Sequence, residues 1–125
     1  MIAADTSSLV AFLEGDSGSD VDVIEDSLHS QILTLPPVVL TEILSDPKLP
    51  KQVYKILLGL PILETLPGYW QRAGETRAKL LSRSLKIRVA DALIAQSCLD
   101  YNVALITRDK DFRHFEKVTE LKVIW

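Results

Sequence analysis

The chain has 125 residues, of which 47% are hydrophobic and 25% are charged, a balance typical of globular proteins and not of disordered ones. This length predicts a single domain, residues 1–125, that is large enough to bury an apolar core. The net charge of -3 argues against nucleic-acid binding by overall charge, so such binding needs a local basic patch.

Short apolar runs alternate with amphipathic segments along the chain, and proline and glycine separate them. The predicted strands are residues 2–4, 32–35, 62–66, 104–107 and 121–124. The predicted helices are residues 7–13, 21–28, 38–44, 51–60, 70–85 and 89–101, with a short helix around 112–115. Short apolar strands that alternate with helices favour a parallel sheet covered on both faces. The predicted fold class is therefore α/β, arranged as a three-layer sandwich.

The single cysteine, Cys98, excludes an internal disulfide and a cysteine-based metal site. Its neighbours provide no base to activate it, so we expect a buried apolar residue in a reducing compartment. The N-terminal MIAADTSSLV lacks the basic region of a secretion signal. No apolar run reaches the roughly 18 residues needed to cross a bilayer. We therefore expect a cytoplasmic protein that does not enter a membrane.

Two acids follow predicted strands. Asp5 comes directly after residues 2–4, and Asp109 comes just after residues 104–107. Each acid has a plain interpretation as a helix N-cap. In open α/β sheets, however, ligands gather at the carboxyl ends of the strands. Asp5 and Asp109 therefore form one site if their two strands are neighbours.

Two further acids lie on predicted helices. Asp91 shares a helix side with the apolar Ala95 and Cys98, and a buried carboxylate in such a place needs a partner. Arg88 is a candidate for that partner. Glu42 lies at the margin of the apolar side of its helix, where a rim position in contact with water is an equal alternative.

Together these acids predict a cation site. Four clustered carboxylates would have raised pKa values through mutual repulsion unless a cation neutralised them. The chain has no competing cluster of histidine or cysteine, so a hard cation with oxygen ligands, Mg²⁺ or Mn²⁺, is the natural candidate. Such ions take one or two carboxylates directly and the others through water.

The strings AADTSSLVAFLEG, VVLTEIL and ADALIAQSCLDYNVALITRDKDF occur in the order and spacing of PIN-domain proteins. The chain most resembles the VapC-type toxin ribonucleases of bacterial type II toxin–antitoxin systems, and the resemblance spans essentially its whole length. The resemblance implies a PIN-like three-layer α/β/α sandwich around a mostly parallel sheet. It also implies cleavage of single-stranded RNA to 5′-phosphate and 3′-hydroxyl ends, a homodimer, and a small antitoxin that covers the site.

The resemblance assigns the catalytic, metal-binding pocket to four residues: Asp5, Glu42, Asp91 and Asp109. Glu42 can act through water, and Asp111 matches a further acid that many members carry. Thr6 or Ser7 matches a small polar position that steadies the metal or its water, and Thr107 matches the hydroxyl residue that precedes the last acid. The segment between Glu42 and residue 70 is shorter than in the commonest members and leaves the identity of the antitoxin open.

The expected mechanism needs no protein nucleophile. One or two Mg²⁺ or Mn²⁺ ions would lower the pKa of a bound water, direct it at a phosphodiester and stabilise the developing charge. Residues 72–88 carry six basic side chains and one acidic one, a local charge of +5. A solvated helix face and a grip on an acidic partner are alternatives to a phosphate-binding patch. The predicted RNA-binding residues are Arg77, Arg83, Lys86, Arg88 and Arg108.

Three other protein classes are alternatives to this interpretation of the acids. A haloacid-dehalogenase-type phosphatase needs a second aspartate two residues after the first, and position 7 is serine. A phosphoacceptor receiver domain needs an acidic pair near the N-terminus, where only Asp5 is available. A non-catalytic PIN module that binds RNA or a protein partner stays open as the alternative, because acids can persist when activity is lost.

Overall fold

The sheet is built from four short parallel strands. The computed structural model describes all residues, 1–125. The strands are β1 (Ile2–Ala4), β2 (Leu33–Thr34), β3 (Ala104–Ile106) and β4 (Val123–Ile124). Their order is β2-β1-β3-β4, and every pair is parallel. The α/β class and the parallel sheet that the sequence predicts are therefore confirmed.

Seven helices connect and cover these strands. They are α1 (Thr6–Leu13), α2 (Ser19–His29), α3 (Pro37–Leu44), α4 (Lys51–Leu58), α5 (Tyr69–Leu81), α6 (Val89–Tyr101) and α7 (Arg113–Val118), with a 3₁₀ turn at Lys110–Phe112. Pro37 lies in the first turn of α3, where its missing N–H is not needed. Asn102 ends α6 in the left-handed conformation, with φ 52°. No helix combines the length and apolar character needed to span a membrane.

Two predicted elements differ from the structure. Residues 62–66 do not form a strand, because only Ile62 bridges Leu35 and residues 64–66 are exposed to solvent, without a sheet neighbour to pair with. The helix predicted to reach residue 85 ends at Leu81. Ser84 takes a left-handed φ of 62°, which a continuing right-handed helix does not allow.

The two central strands determine where functional residues emerge. Ala3, Ala4, Leu105 and Ile106 are fully buried, which explains why these strands lack alternating polar residues. The register pairs Ala4 with Ile106. The residues that follow them, beginning with Asp5 and Thr107, therefore leave the same edge of the sheet side by side.

Candidate metal centre

The carboxylate of Asp5 lies at the carboxyl end of β1 and is only 4% exposed. Its Oδ2 accepts hydrogen bonds from Ser7 Oγ at 2.7 Å and from Thr107 Oγ1 at 2.8 Å. Asp5 occupies the N-cap position of α1, but its side chain makes no capping hydrogen bond. One hydroxyl from the first turn of α1 and one from the residue after β3 therefore hold this carboxylate in place.

Asp109 is linked to Asp5 through the same threonine. The backbone N–H of Asp109 donates to Thr107 Oγ1 at 3.0 Å, so one buried hydroxyl bridges the segments that carry both acids. Asp109 Oδ1 accepts from the backbone N–H of Asp111 at 3.0 Å and caps the 3₁₀ turn. The cap interpretation thus holds for one oxygen of Asp109, while the other faces Arg88 at 3.5 Å.

Asp91 lies in the first turn of α6 and is 5% exposed. Arg88 is its partner: Nε lies 3.2 Å from Oδ2, and Nη2 lies 3.1 Å from Oδ1. The same Nη2 is the atom that reaches Asp109. The guanidinium therefore bridges two of the predicted acids.

Glu42 completes the pocket from α3. It is exposed, as expected of a rim position, and its Oε1 accepts from Thr6 Oγ1 at 2.8 Å. The structure thus brings all four acids to one cavity of about 210 Å³. Its lining residues are Asp5, Thr6, Ser7, Glu42, Arg88, Asp91 and Asp109.

Asp111 takes part in a second, overlapping group. Carboxylate oxygens of Asp91, Asp109 and Asp111 lie within 4.8 Å of one another. Asp111 does not line the cavity that holds Asp5 and Glu42, and it is exposed to solvent. Asp91 and Asp109 belong to both groups and form their common centre.

Burial dominates the electrostatics of the pocket. It is the largest cause that raises the pKa of Asp5, and the hydroxyls of Ser7 and Thr107 oppose it. Burial also raises the pKa of Asp91, against the opposing effect of Arg88. Repulsion from Asp109 and Asp5 raises the Asp91 pKa further, but as a smaller cause. The expectation from the sequence was that mutual repulsion raises these pKa values, whereas loss of hydration by burial is the larger cause.

The donor set fits a small hard cation. Every acidic ligand is a carboxylate, and no histidine or cysteine lines the pocket, which suits Mg²⁺ or Mn²⁺ better than softer metals. An octahedral Mg²⁺ has ligands at about 2.1 Å, so opposite oxygens lie about 4.2 Å apart. The 4.8 Å limit within the three-acid group is close to that span.

The predicted RNA-binding residues are in different surroundings. Arg88 lines the acidic pocket, and Arg77 donates from Nε to the carbonyl of Ile87 at 3.0 Å. Arg83 and Lys86 are exposed in the connection between α5 and α6. Arg108 forms a bidentate ion pair at 2.7 Å and 2.9 Å, and its partner is an acid that the sequence analysis did not single out.

That missed acid is Asp20, in the first turn of α2, which is 4% exposed. The Arg108 guanidinium holds the pKa of Asp20 at about 2, against the opposing effect of burial. Ser8 Oγ also donates to it at 2.7 Å. The spacing of Asp20, Ile24 and Leu28 contained a signal, because residues four apart share a helix face. An acid in line with two apolar residues indicates a buried carboxylate that needs a cationic partner.

A sequence model for the PIN domain matches residues 2–118 of the chain. A comparison with curated protein sequences finds no match.

Solved structures of similar fold cover almost the whole chain. VapBC2 from Rickettsia felis, bound to a DNA fragment from its promoter, has a TM-score of 0.78 at 23% identity, over 100% of this chain and 99% of that one. VapBC-1 from nontypeable Haemophilus influenzae has a TM-score of 0.74 at 18% identity, over 99% and 97%. VapBC-5 from Mycobacterium tuberculosis, of the VapBC family of toxin-antitoxin systems, has a TM-score of 0.66 at 16% identity, over 98% and 96%. These likenesses confirm the predicted PIN-like α/β/α architecture.

Proposed function

The chain belongs to the PIN-domain family, and on that premise we propose that it is a Mg²⁺- or Mn²⁺-dependent endoribonuclease of the VapC type, the toxin of a toxin–antitoxin pair. Its substrate is single-stranded RNA. The observation that carries the proposal is the convergence of Asp5, Glu42, Asp91 and Asp109 on one cavity, although they come from four separate segments. Residues 1–125 form one PIN-like domain in this proposal, and the reaction takes place in the cytoplasm.

The acids divide the work of holding the cation. Asp5, Asp91 and Asp109 are the candidates for direct metal ligands, and Glu42 acts through water. Asp111 lies close enough to Asp91 and Asp109 to share a cation with them. A bound divalent cation supplies an activated water and neutralises charge on the phosphate. The hydroxyls of Ser7, in α1, and Thr107, just after β3, keep the Asp5 carboxylate oriented, since both bond the same oxygen. This preorganisation leaves little rearrangement for the reaction itself.

Basic residues at the pocket rim supply the phosphate contacts. Arg88 lines the cavity with a side chain that is 69% exposed, and Lys86 and Arg83 precede it on the same connection. Arg77 supports that connection through the carbonyl of Ile87, the residue before Arg88. A protein with a net charge of -3 can hold RNA through such a local patch, and affinity then falls steeply with salt.

An apolar groove next to the pocket suits the antitoxin partner. Val10, Leu13, Ile43 and Val53, from α1, α3 and α4, line a groove of about 190 Å³ that Glu42 also borders. A segment lying in this groove would reach the acids beside Glu42 and block the site.

A homodimer is the second expected assembly. The exposed Trp70, Leu81 and Val89 on α5 and α6 form a candidate surface for it. Sedimentation analysis tests whether the protein is a dimer in solution.

The proposal is tested by incubating the purified protein with single-stranded RNA and Mn²⁺, with and without EDTA. Asp91→Asn is the active-site variant. Asp22→Asn, the same change at an exposed position of α2, is the matched control. We expect EDTA to abolish cleavage, Asp91→Asn to reduce it by at least about 100-fold, and Asp22→Asn to leave it unchanged. The products should carry 5′-phosphate ends.

Cleavage that survives both EDTA and Asp91→Asn would contradict the metal mechanism. Another result would distinguish a binding module from a ribonuclease. If the protein binds Mn²⁺ and RNA but cleaves none of a diverse RNA pool, it acts as a non-catalytic PIN module. Sequencing the cleavage ends of that pool also identifies the preferred RNA.

A further inference from the structure

An ion pair between a buried carboxylate and a partly exposed guanidinium joins the start of α2 to the loop that follows β3. Arg108 Nε lies 2.7 Å from Asp20 Oδ2, and Arg108 Nη2 lies 2.9 Å from Asp20 Oδ1. Ser8 Oγ donates to Asp20 Oδ2 at 2.7 Å. The carboxylate is buried, and a bidentate pair with a planar guanidinium fixes orientation as well as distance. The Arg108 side chain remains 36% exposed, but the buried carboxylate and its two hydrogen bonds to the guanidinium distinguish the pair from one between two fully exposed side chains.

The backbone before α2 is shaped around this pair. The carbonyl of Ser17 accepts from Arg108 Nη2 at 3.2 Å. A Cβ atom on Gly18 would lie 2.6 Å from Asp20 Oδ1 and 2.9 Å from Arg108 Nη2, and Gly18 has φ +150°. No side chain fits there without displacing the pair, since such contacts are far inside van der Waals range.

Both ends of the ion pair adjoin the residues that hold Asp5. Arg108 follows Thr107 directly and precedes Asp109, and its backbone N–H donates to Ser7 Oγ at 3.4 Å. On the other side, Ser8 follows Ser7 in α1. Asp20, which accepts from both Ser8 and Arg108, therefore links α1 to the loop after β3, next in sequence to the hydroxyls that bond the Asp5 carboxylate.

We propose that Asp20 and Arg108 are positioning residues, which hold the loop after β3 so that Thr107 and Asp109 face Asp5. This role rests on the proposed function for the use of Asp109. It differs from the RNA contact that the sequence predicted for Arg108, because the guanidinium is already engaged by Asp20 and Ser17. Residues that orient metal ligands from behind change metal affinity by about 10- to 100-fold when they are replaced.

The experiment measures Mn²⁺ affinity by calorimetry in Asp20→Asn, Arg108→Gln and the double variant. Each single variant should weaken Mn²⁺ binding about tenfold, and the double variant no further, because the two residues act as one unit. Arg72→Gln is the matched control. It breaks another bidentate pair, with Asp100 at 2.6 Å and 3.0 Å, at the end of α6 away from Asp91, and should leave Mn²⁺ affinity unchanged.

A second measurement needs no metal. Amide hydrogen exchange at residues 107–111 should quicken about tenfold in Asp20→Asn and Arg108→Gln, and not in Arg72→Gln. If Asp20→Asn does not fold, Ser8→Ala removes only the hydroxyl that donates to Asp20 and should produce the same changes to a smaller degree. Urea unfolding of each variant separates these local effects from a general loss of stability.

Three results would overturn the inference. The first is Mn²⁺ affinity and amide exchange that stay at wild-type values in both single variants. The second is equal changes in the Arg72→Gln control. The third is weaker RNA binding with a reduced salt slope in Arg108→Gln alone, while Asp20→Asn binds RNA normally, which identifies a phosphate contact. If the wild-type protein binds no Mn²⁺, the proposed function fails instead, and amide exchange still decides the positioning role.

Discussion

Replacing Asp5 with asparagine is expected to stabilise the metal-free protein. The carboxylate is 4% exposed, and burial raises its pKa above that of an unfolded aspartate. The folded state therefore binds the proton more tightly, and at neutral pH ionisation lowers the free energy of unfolding by about 1.4 kcal/mol per pKa unit. Asparagine is close in shape, and its Oδ1 can accept from Ser7 and Thr107. Because weaker neutral hydrogen bonds offset only part of the gain, we expect a net increase in the free energy of unfolding and a higher Tm at neutral pH.

The pH dependence has a definite sign. At pH values below the pKa of the unfolded aspartate, the Asp5 carboxyl is protonated in both the folded and the unfolded protein. Ionisation then costs the wild type no stability relative to Asp5→Asn. As pH rises through the raised folded pKa, the wild type loses stability and the variant does not. The difference between them should be small in acid and fully developed at neutral pH.

Adding Mn²⁺ should reverse the order of the two proteins. At a concentration 100 times Kd, a ligand that binds only the folded state adds about 2.7 kcal/mol to the free energy of unfolding. Asp5→Asn removes a proposed ligand and should gain much less. Urea unfolding followed by tryptophan fluorescence, in EDTA and in Mn²⁺, measures both effects. The reasoning is refuted if Asp5→Asn is less stable than the wild type in EDTA at neutral pH, or if Mn²⁺ stabilises both proteins equally.

Three further outcomes follow from individual contacts. Thr107→Val removes the hydroxyl that bonds Asp5 and the Asp109 amide and should lower the free energy of unfolding by about 1–3 kcal/mol. Thr107→Ser keeps a hydroxyl and should retain most of the wild-type stability. Equal losses of stability in the two variants, measured by urea unfolding, would contradict this. Gly18→Ala should destabilise the protein by more than about 1 kcal/mol, because the added Cβ has no room. Gly74→Ala, in α5 where a Cβ meets no neighbour, should stabilise it by about 0.5–1 kcal/mol. Thermal denaturation of the two variants beside the wild type tests both predictions. Burial raises the pKa of the Cys98 thiol, so a thiol reagent should label it only after urea unfolds the chain, and rapid labelling of the native protein would show that Cys98 is accessible.

The helices and most strands were predictable because their signals are local. Apolar residues at helical spacing predicted α6, and a short apolar run predicted β3, almost to the residue. The strand predicted at residues 62–66 failed for the opposite reason. An apolar run of that length carries no information about whether a neighbouring strand is present, and there only Ile62 finds a partner.

The residues of the candidate site were more predictable than the hydrogen bonds and ion pairs that connect them. The position of Asp5 after a strand and of Asp91 on an apolar helix side identified acids that the fold brings together. The sequence predicted Arg88 as the partner of Asp91. The bridging role of Thr107, the second contact of Arg88 with Asp109 and the burial of Asp20 were not evident, because each depends on a contact between distant segments.

The amino-acid sequence by itself determined the fold class, the order of the elements and the identity of four converging acids, since helical and strand propensities act over a few neighbouring residues. Only the tertiary structure decided that β1 and β3 are adjacent although about 100 residues separate them, and that Arg108 turns toward Asp20. Such distances depend on how the whole core packs, and no local pattern encodes them.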